Sequence, residues 1–497
     1  MTFDVHQLDL FLLVGAGVTL LAILAVRVSS RAGLPSLLLY LLMGVALGEN
    51  FIGIGFENAE LAHALGFAAL ALILAEGGLT TSWTTVKPSM RLGLSLATLG
   101  VAVSIAIVAV SAHLLLGLSW QLAVLLGAVT SPTDAAAVFS VLRGLPLSPR
   151  LVGALEAESG LNDAPTVVLV TLISTGSVAD HGIPMTVLVI VFELLVGVVI
   201  GLGVGFGGAW LMRRAALPSS GLYPLAVLCL TLLAYGAAAS AHASGFAAIY
   251  VGALVLGNSE LPHRTATRSF AEGVAWLAQI GLFVMLGLLL NPSRITWSVV
   301  GIAVAGSLLL TFVARPVSVW VSAVVQPMPW HELGFVSWAG LRGAVPIVLA
   351  TIPFAEHVTS AERLFDIVFV IVVISTVLTG PTLPVVARWL GVTRQLEPRS
   401  LDLEVAPLER LSADMLQVTI SPISRLHGVE VGELRLPEGS SVSMVVRDGR
   451  AIVPERRTVL RRGDDLLVVT PRGLREPTVR RLRTVSAHGR LGRWLGD

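Results

Sequence analysis

The chain is organised by long apolar runs separated by short polar intervals. A window of about 19 residues finds runs at 8–27, 34–49, 59–79, 91–116, 120–142, 151–175, 184–212, 222–240, 244–258, 270–290, 295–324, 333–353 and 364–391. The pattern predicts a polytopic α-helical membrane protein with about 13 spanning helices, of which 244–258 is short for a crossing of about 20 residues. No basic stretch or small-residue cleavage site accompanies the first run, so it is expected to be a retained helix.

Two runs carry Gly, Pro and polar residues at their middles. They are "LLGAVTSPTDAAAVFSVL", 125–142, and "WAGLRGAVPIVLA", 338–350, the fifth and twelfth segments of thirteen. Folding the chain about the seventh segment sets segments 1–6 against 8–13 and brings these breaks to equivalent positions. A matched pair of interrupted helices points to inverted repeats with a binding site between them. Pro132 removes a backbone donor, and the carbonyls freed by a break can coordinate a cation while the half-helix ends supply partial charge. A proline kink without function is the alternative for either segment alone. The pairing, with Asp134 in one break and Arg342 in the other, argues against it for both.

Beyond about residue 400 the period changes from helical to alternating, in "MLQVTI", "SVSMVVR", "RAIVPE" and "DDLLVVTP". Turn signals fall between these runs at Asp448-Gly449 and Arg462-Gly463-Asp464. The expected organisation is a membrane domain over 1–391, a linker over 392–411, a small α/β domain over 412–485 and a tail over 486–497.

Composition agrees: 55% of residues are hydrophobic, 13% charged, and the mean hydropathy is +0.84, against roughly 25% charged in soluble chains. The net charge of +1 gives no reason to expect nucleic acid. The single cysteine, Cys229, excludes disulfide frameworks and cysteine metal clusters. Arginines and Lys87, the only lysine, gather after odd-numbered segments, at Arg27 and Arg31, Lys87 and Arg91, Arg143 and Arg150, Arg213 and Arg214, and Arg264 and Arg268. Only Arg294 and Arg363 stand against this bias, which predicts an external N-terminus and a cytoplasmic C-terminus.

The sixth segment opens with "EAESGLNDAPTVVLV", 156–170. An acid at membrane depth is costly and marks a functional site by default. Residues four apart share a helix face, so Ser159 and Asp163 form one stripe of hard oxygen ligands suited to a monovalent cation. Glu158 and Asn162 form the neighbouring stripe, where Glu158 is expected to pair with Arg342. Glu156 is expected to be a solvated residue at the mouth. Glu76, near the end of the third segment, is either a membrane-edge residue or part of the cation site. The glycines of "GLGVGFGG", 201–208, lie inside an apolar span with no strand before them and are expected to serve helix packing. No constellation for catalysis or a cofactor is present, so none is expected.

Taken in order, "TSPTDAAAV", "EAESGLNDAPTVVL", "GFAAIYVGALVLGN" and "WAGLRGAVPIVLA" resemble the monovalent cation:proton antiporters of the first cation-proton-antiporter family, over about 8–391. Residues 423–472 resemble a TrkA-C (RCK-C) domain. The combination is similar to the bacterial potassium/proton antiporter branch of the inner membrane. The resemblance implies that Asp163 binds H⁺ and the cation in turn. It implies cation-site roles for Ser159, Glu76, Asn162, Thr133 and Asp134, with a Thr130 carbonyl close by, and a structural pair of Glu158 with Arg342. Asn162 in place of a second acid implies electroneutral exchange. A homodimer in lipid, elevator motion and a small nucleotide-like ligand on the tail domain are implied as well. Na⁺/H⁺ antiport and a gated cation channel are the alternatives, and no filter-like repeat supports the channel.

Overall fold

The computed structural model describes residues 5–32, 35–49, 51–56, 58–142, 147–393, 401–408, 413–421 and 424–489. Its contacts divide into two units, Met1–Thr393 and Arg394–Asp497.

The first unit is helical, and every expected apolar run carries helix. The helices are α1 (Val5–Ala32), α2 (Ser36–Leu47), α3 (Ala59–Thr80), α4 (Trp83–Leu116), α5 (Trp120–Thr130), α6 (Ala135–Val141), α7 (Pro149–Ser174) and α8 (Ser177–Arg214). After them come α9 (Leu222–Ser240), α10 (Gly245–Asn258), α11 (Arg264–Leu289), α12 (Trp297–Ser322), α13 (Trp330–Trp338), α14 (Ala344–Ala355), α15 (Ala361–Thr379) and α16 (Leu383–Trp389). Among the described residues six helices are long and apolar enough to cross a membrane, and a seventh span arises if α15 and α16, bent by 44°, are taken together.

Local chemistry sets the helix starts. The side chains of Asn58, Ser119, Asp134, Ser148 and Ser244 each accept a bond from the backbone N–H three residues on, satisfying a donor that the helix itself leaves open. Pro149 follows Ser148 at the first position of α7, where its missing N–H costs nothing.

Two groups of helices result. In one, α8, α9 and α10 pack together, α10 and α11 lie on α3, and α11 lies on α2. In the other, α4 packs on α5 and α7, and α15 on α12 and α14. The groups meet where α7 touches α8 and α10, and where α14 touches α3. The apolar window of α8 is only 11% buried. It leaves Phe192, Leu195, Val199 and Phe206 exposed, a face suited to lipid tails rather than water. Helices α4 and α12 each contain a π-helical turn, Leu96–Gly100 and Leu310–Ala314. They cross close by, with Ser95 Oγ donating to the Ser322 carbonyl at 3.0 Å and Ser322 Oγ to the Ser95 carbonyl at 3.3 Å.

The second unit is an antiparallel five-stranded sheet in the order β1-β2-β5-β3-β4. Its strands are β1 (Leu401–Leu408), β2 (Ala413–Ile420), β3 (Ser441–Arg447), β4 (Arg450–Ile452) and β5 (Asp465–Pro471), followed by α17 (Arg475–His488). Alternate residues of β2 and β5, Leu416, Val418, Ile420, Leu466 and Val468, bury themselves with Leu482 and Val485 of the helix. Positive φ at Asp448 and Gly449 closes the β3–β4 hairpin. One expectation is corrected. Residues 401–408 of the expected linker form strand β1, because their alternation matches β2 from Leu401 opposite Ile420 to Leu408 opposite Ala413. The rest of that linker at 394–400 and 409–411, Arg143, and the tail at 490–497 lie outside the described residues.

Candidate functional site

The site is built where the two interrupted helices meet. Helix α5 stops at Thr130 and α6 starts at Ala135; α13 stops at Trp338 and α14 starts at Ala344. The breaks are joined by backbone, since the Asp134 N–H donates to the Leu341 carbonyl at 2.8 Å. Four half-helix ends therefore converge in a buried region, two with open carbonyls and two with open N–H groups. Arg342, 2% exposed, serves the carbonyl ends: its Nε donates to Thr130 O at 2.8 Å and its Nη1 to Gly340 O at 2.9 Å. Asp134 serves the N–H ends. Its Oδ1 accepts the Ala137 N–H at 3.2 Å. Its carboxylate also lies so close to Gly343, before α14, that a Cβ there would collide with it. Each charge thus sits against the opposite end of the helix dipole.

Helix α7 passes beside this crossing. Glu158, 1% exposed, is bound by both terminal nitrogens of Arg315, with Nη2 to Oε2 at 2.9 Å. Thr133 Oγ1 donates to Glu158 Oε1 at 3.2 Å, and Asn162 Nδ2 to Thr133 Oγ1 at 3.2 Å. The expected Glu158–Arg342 pair is thereby corrected. Backbone carbonyls take donors of Arg342, and the partner of Glu158 is Arg315 of α12, directly after the π-helical turn. Its sequence signal was a lone basic residue inside the apolar run 295–324.

On the adjoining face a cavity of 260 Å³ is lined by Asp163, Ser159 and Glu156 of α7, Glu76 and Thr80 of α3, Thr133, Asp134 and, from the far side, Tyr250 and Gln279. Asp163 is 7% exposed, and its Oδ1 is buried without a hydrogen-bond partner among the described residues. The structure thus brings Asp163, Ser159, Glu76, Thr133 and Asp134 to one cavity. Two further candidates stand apart from it. Asn162 turns to Thr133, and Thr130 lies outside the lining, its carbonyl taken by Arg342 and its hydroxyl donating to Leu126 O at 2.6 Å. Glu156 is half-buried in the cavity wall rather than free in solvent. Tyr250 and Gln279 carried no sequence signal beyond being polar groups in apolar helices.

The charges give the arrangement its chemistry. Arg315 is matched to Glu158, and Arg342 is spent on backbone carbonyls. No arginine, lysine or histidine lines the cavity that holds Asp163. Asp163, nearly fully buried there, calls for a monovalent positive ion or a proton. Hard oxygens from Asp163 and Ser159 suit an alkali cation.

The sodium/hydrogen exchanger (transmembrane) family matches residues 17–389, and the TrkA-C domain matches residues 415–476. The K(+)/H(+) antiporter NhaP2 of Shewanella baltica (strain OS223) is 35% identical over 476 residues, 94% of this chain and 82% of that protein. The K(+)/H(+) antiporter NhaP of Alkalimonas amylolytica is 34% identical over 474 residues, 93% of this chain and 82% of that one. The Na(+)/H(+) antiporter ApNhaP of Aphanothece halophytica is 28% identical over 417 residues, 78% of this chain and 77% of that one. The fold is similar to that of the sodium proton antiporter MjNhaP1 from Methanocaldococcus jannaschii at pH 8, with a TM-score of 0.65 at 20% identity over 77% of this chain and 99% of that one.

Proposed function

Because the chain belongs to the transmembrane sodium/hydrogen exchanger family, we propose that it exchanges K⁺ for H⁺ across a bacterial cytoplasmic membrane. The observation that carries this reading is Asp163, whose Oδ1 is buried in the cavity with no hydrogen-bond partner among the described residues. K⁺ and H⁺ compete for it, and competition alone gives antiport. An empty, ionised Asp163 cannot be carried through low dielectric, so the site crosses only when filled. One charge replaces one charge, because Asn162 adds none; exchange is electroneutral. Relatives aligned along the tail domain as well as the helices are named for K⁺, which favours K⁺ over Na⁺.

In this reading the chain makes thirteen crossings as two inverted repeats about α8, with the N-terminus outside. The cavity then faces the cytoplasm, since it is lined from the end of α3 and the first half of α7. The helices around the crossing move as a body against the α8–α11 scaffold of a homodimer. The TrkA-C domain senses a small nucleotide-like ligand.

The test is proton flux in everted vesicles driven by K⁺, Na⁺ and Li⁺ across pH. Asp163→Asn is expected to insert and melt as wild type while losing all cation-driven flux. Retained flux in that variant overturns the assignment, and unitary currents in wild type would replace antiport by a channel.

A further inference from the structure

Glu156 is a carboxylate of the acidic helix to which the exchange reading gives no work. Residues 156, 159, 160 and 163 stand at i, i+3, i+4 and i+7, one face of α7, and all four line the cavity. The helical rise places Glu156 about 10 Å from Asp163 toward the start of the helix. It is half-buried and makes no hydrogen bond or ion pair with another described residue. The titratable groups facing the cavity with it are Asp163 of its own helix, Glu76 of α3, Asp134 of the break and Tyr250 of α10; no Arg, Lys or His is among the lining residues. An acid held away from bulk water without a cation is a cost to folding.

Between Glu156 and Asp163 stands Gly160. A Cβ there would collide with the Tyr250 ring carbon and hydroxyl. The absence of a side chain at Gly160 lets the phenol lie on this face, where its hydroxyl feels both carboxylates. The cavity and this hydroxyl lie in the interval that a proton must cross.

We propose that Glu156 is the proton-loading residue for Asp163, a role that rests on the exchange reading. A hydronium ion gives its proton to the Glu156 carboxylate and becomes water. The proton then passes along cavity water to Asp163 as the cation leaves, and Glu156 returns to its carboxylate form. The need for a relay follows from scarcity. At pH 8 hydronium is about 10⁻⁸ M, so even at a diffusion ceiling of about 10⁹–10¹⁰ M⁻¹s⁻¹ one carboxylate meets only about 10–100 protons per second. A second acid nearer the mouth widens the target.

The experiment measures KM for K⁺ and maximal rate from pH 6.5 to 8.5 in everted vesicles for wild type, Glu156→Gln, Glu156→Asp and Asp163→Asn. Glu156→Gln is expected to lower the maximal rate about tenfold at pH 8.5 and less than twofold at pH 6.5, with KM unchanged. Glu156→Asp should recover most of the alkaline rate. An unchanged pH profile overturns the proposal, as does a raised KM at unaltered maximal rate, which would make Glu156 a cation-attracting group. If Glu156→Gln does not accumulate, the profile of Glu156→Asp carries the test: a wild-type profile refutes the relay and a partial alkaline loss supports it. Wild type without exchange defeats the exchange reading itself. Wild type with exchange beside an unaltered Glu156→Gln defeats only the relay.

Discussion

Asp163 differs from Glu158 on the neighbouring stripe in having no arginine bound to it, and that difference was half legible. The i, i+4 spacing placed Ser159 and Asp163 on one stripe, and the cavity lies along it. The same spacing extended by one turn includes Glu156, which the sequence reading set apart as a mouth residue. The partner of Glu158 was not legible, because helical period orders neighbours along one element and says nothing about a helix 157 residues away. The pair now makes a prediction. Arg315→Ala strands a buried carboxylate and should cost roughly 3–5 kcal/mol, read as a large fall in melting temperature in detergent. Arg315→Lys should recover little, since an ammonium cannot bind both carboxylate oxygens as a fork. Glu158→Leu combined with Arg315→Met should regain much of the lost stability, because no unpaired charge remains.

At the level of elements, the breaks were readable from Pro132 and from Gly340-Leu341-Arg342-Gly343. Their joining was not, since the Asp134 N–H to Leu341 carbonyl bond depends on how two distant segments cross. The π-helical turns had no residue signature at all. Strand β1 was hidden because its alternation becomes a strand only against β2. The crossing predicts a sharp effect of a small change. Gly343→Ala puts a methyl group where the Asp134 carboxylate lies. Displacing that carboxylate removes the cap from α6, worth about 1 kcal/mol, and misplaces the charge beside Asp163. Exchange in vesicles should fall at least tenfold while the melting temperature shifts only slightly.

For the whole molecule, the division at Thr393 predicts that a chain ending there inserts, melts cooperatively and still exchanges K⁺ for H⁺, with regulation lost; absent flux would show that the sheet domain is needed for transport itself. That domain has its own acid limit. Burial pushes the Asp464 carboxyl up, but bonds from the Arg447 guanidinium, at 2.8 and 2.7 Å, and from the Arg461 N–H outweigh it and hold it below the usual aspartate range. A carboxyl lower in the folded than in the unfolded state stabilises above the unfolded value of about 4 and ceases to do so as pH falls through the folded one. Protection of β3 and β5 against hydrogen exchange in the full chain, corrected for intrinsic rate, should therefore be flat from pH 7 to 5 and fall below about pH 4. Arg447→Met should lower it by about 3 kcal/mol at pH 7 and shrink the further loss on acidification, since the folded carboxyl then titrates nearer its unfolded value.

The separation of Glu158 from Arg315 also has a consequence for biosynthesis. At about 5–20 residues per second, the 157 residues between them take roughly 10–30 s to emerge from the ribosome. Through that interval α7 sits with its carboxylate unmatched, and the Thr130 carbonyl waits longer still for Arg342. The first half of the chain is therefore a nascent intermediate that must be sheltered by the insertion machinery or held at the interface. Because the ion site is complete only once the second half has arrived, an unfinished chain has no assembled route by which to leak protons.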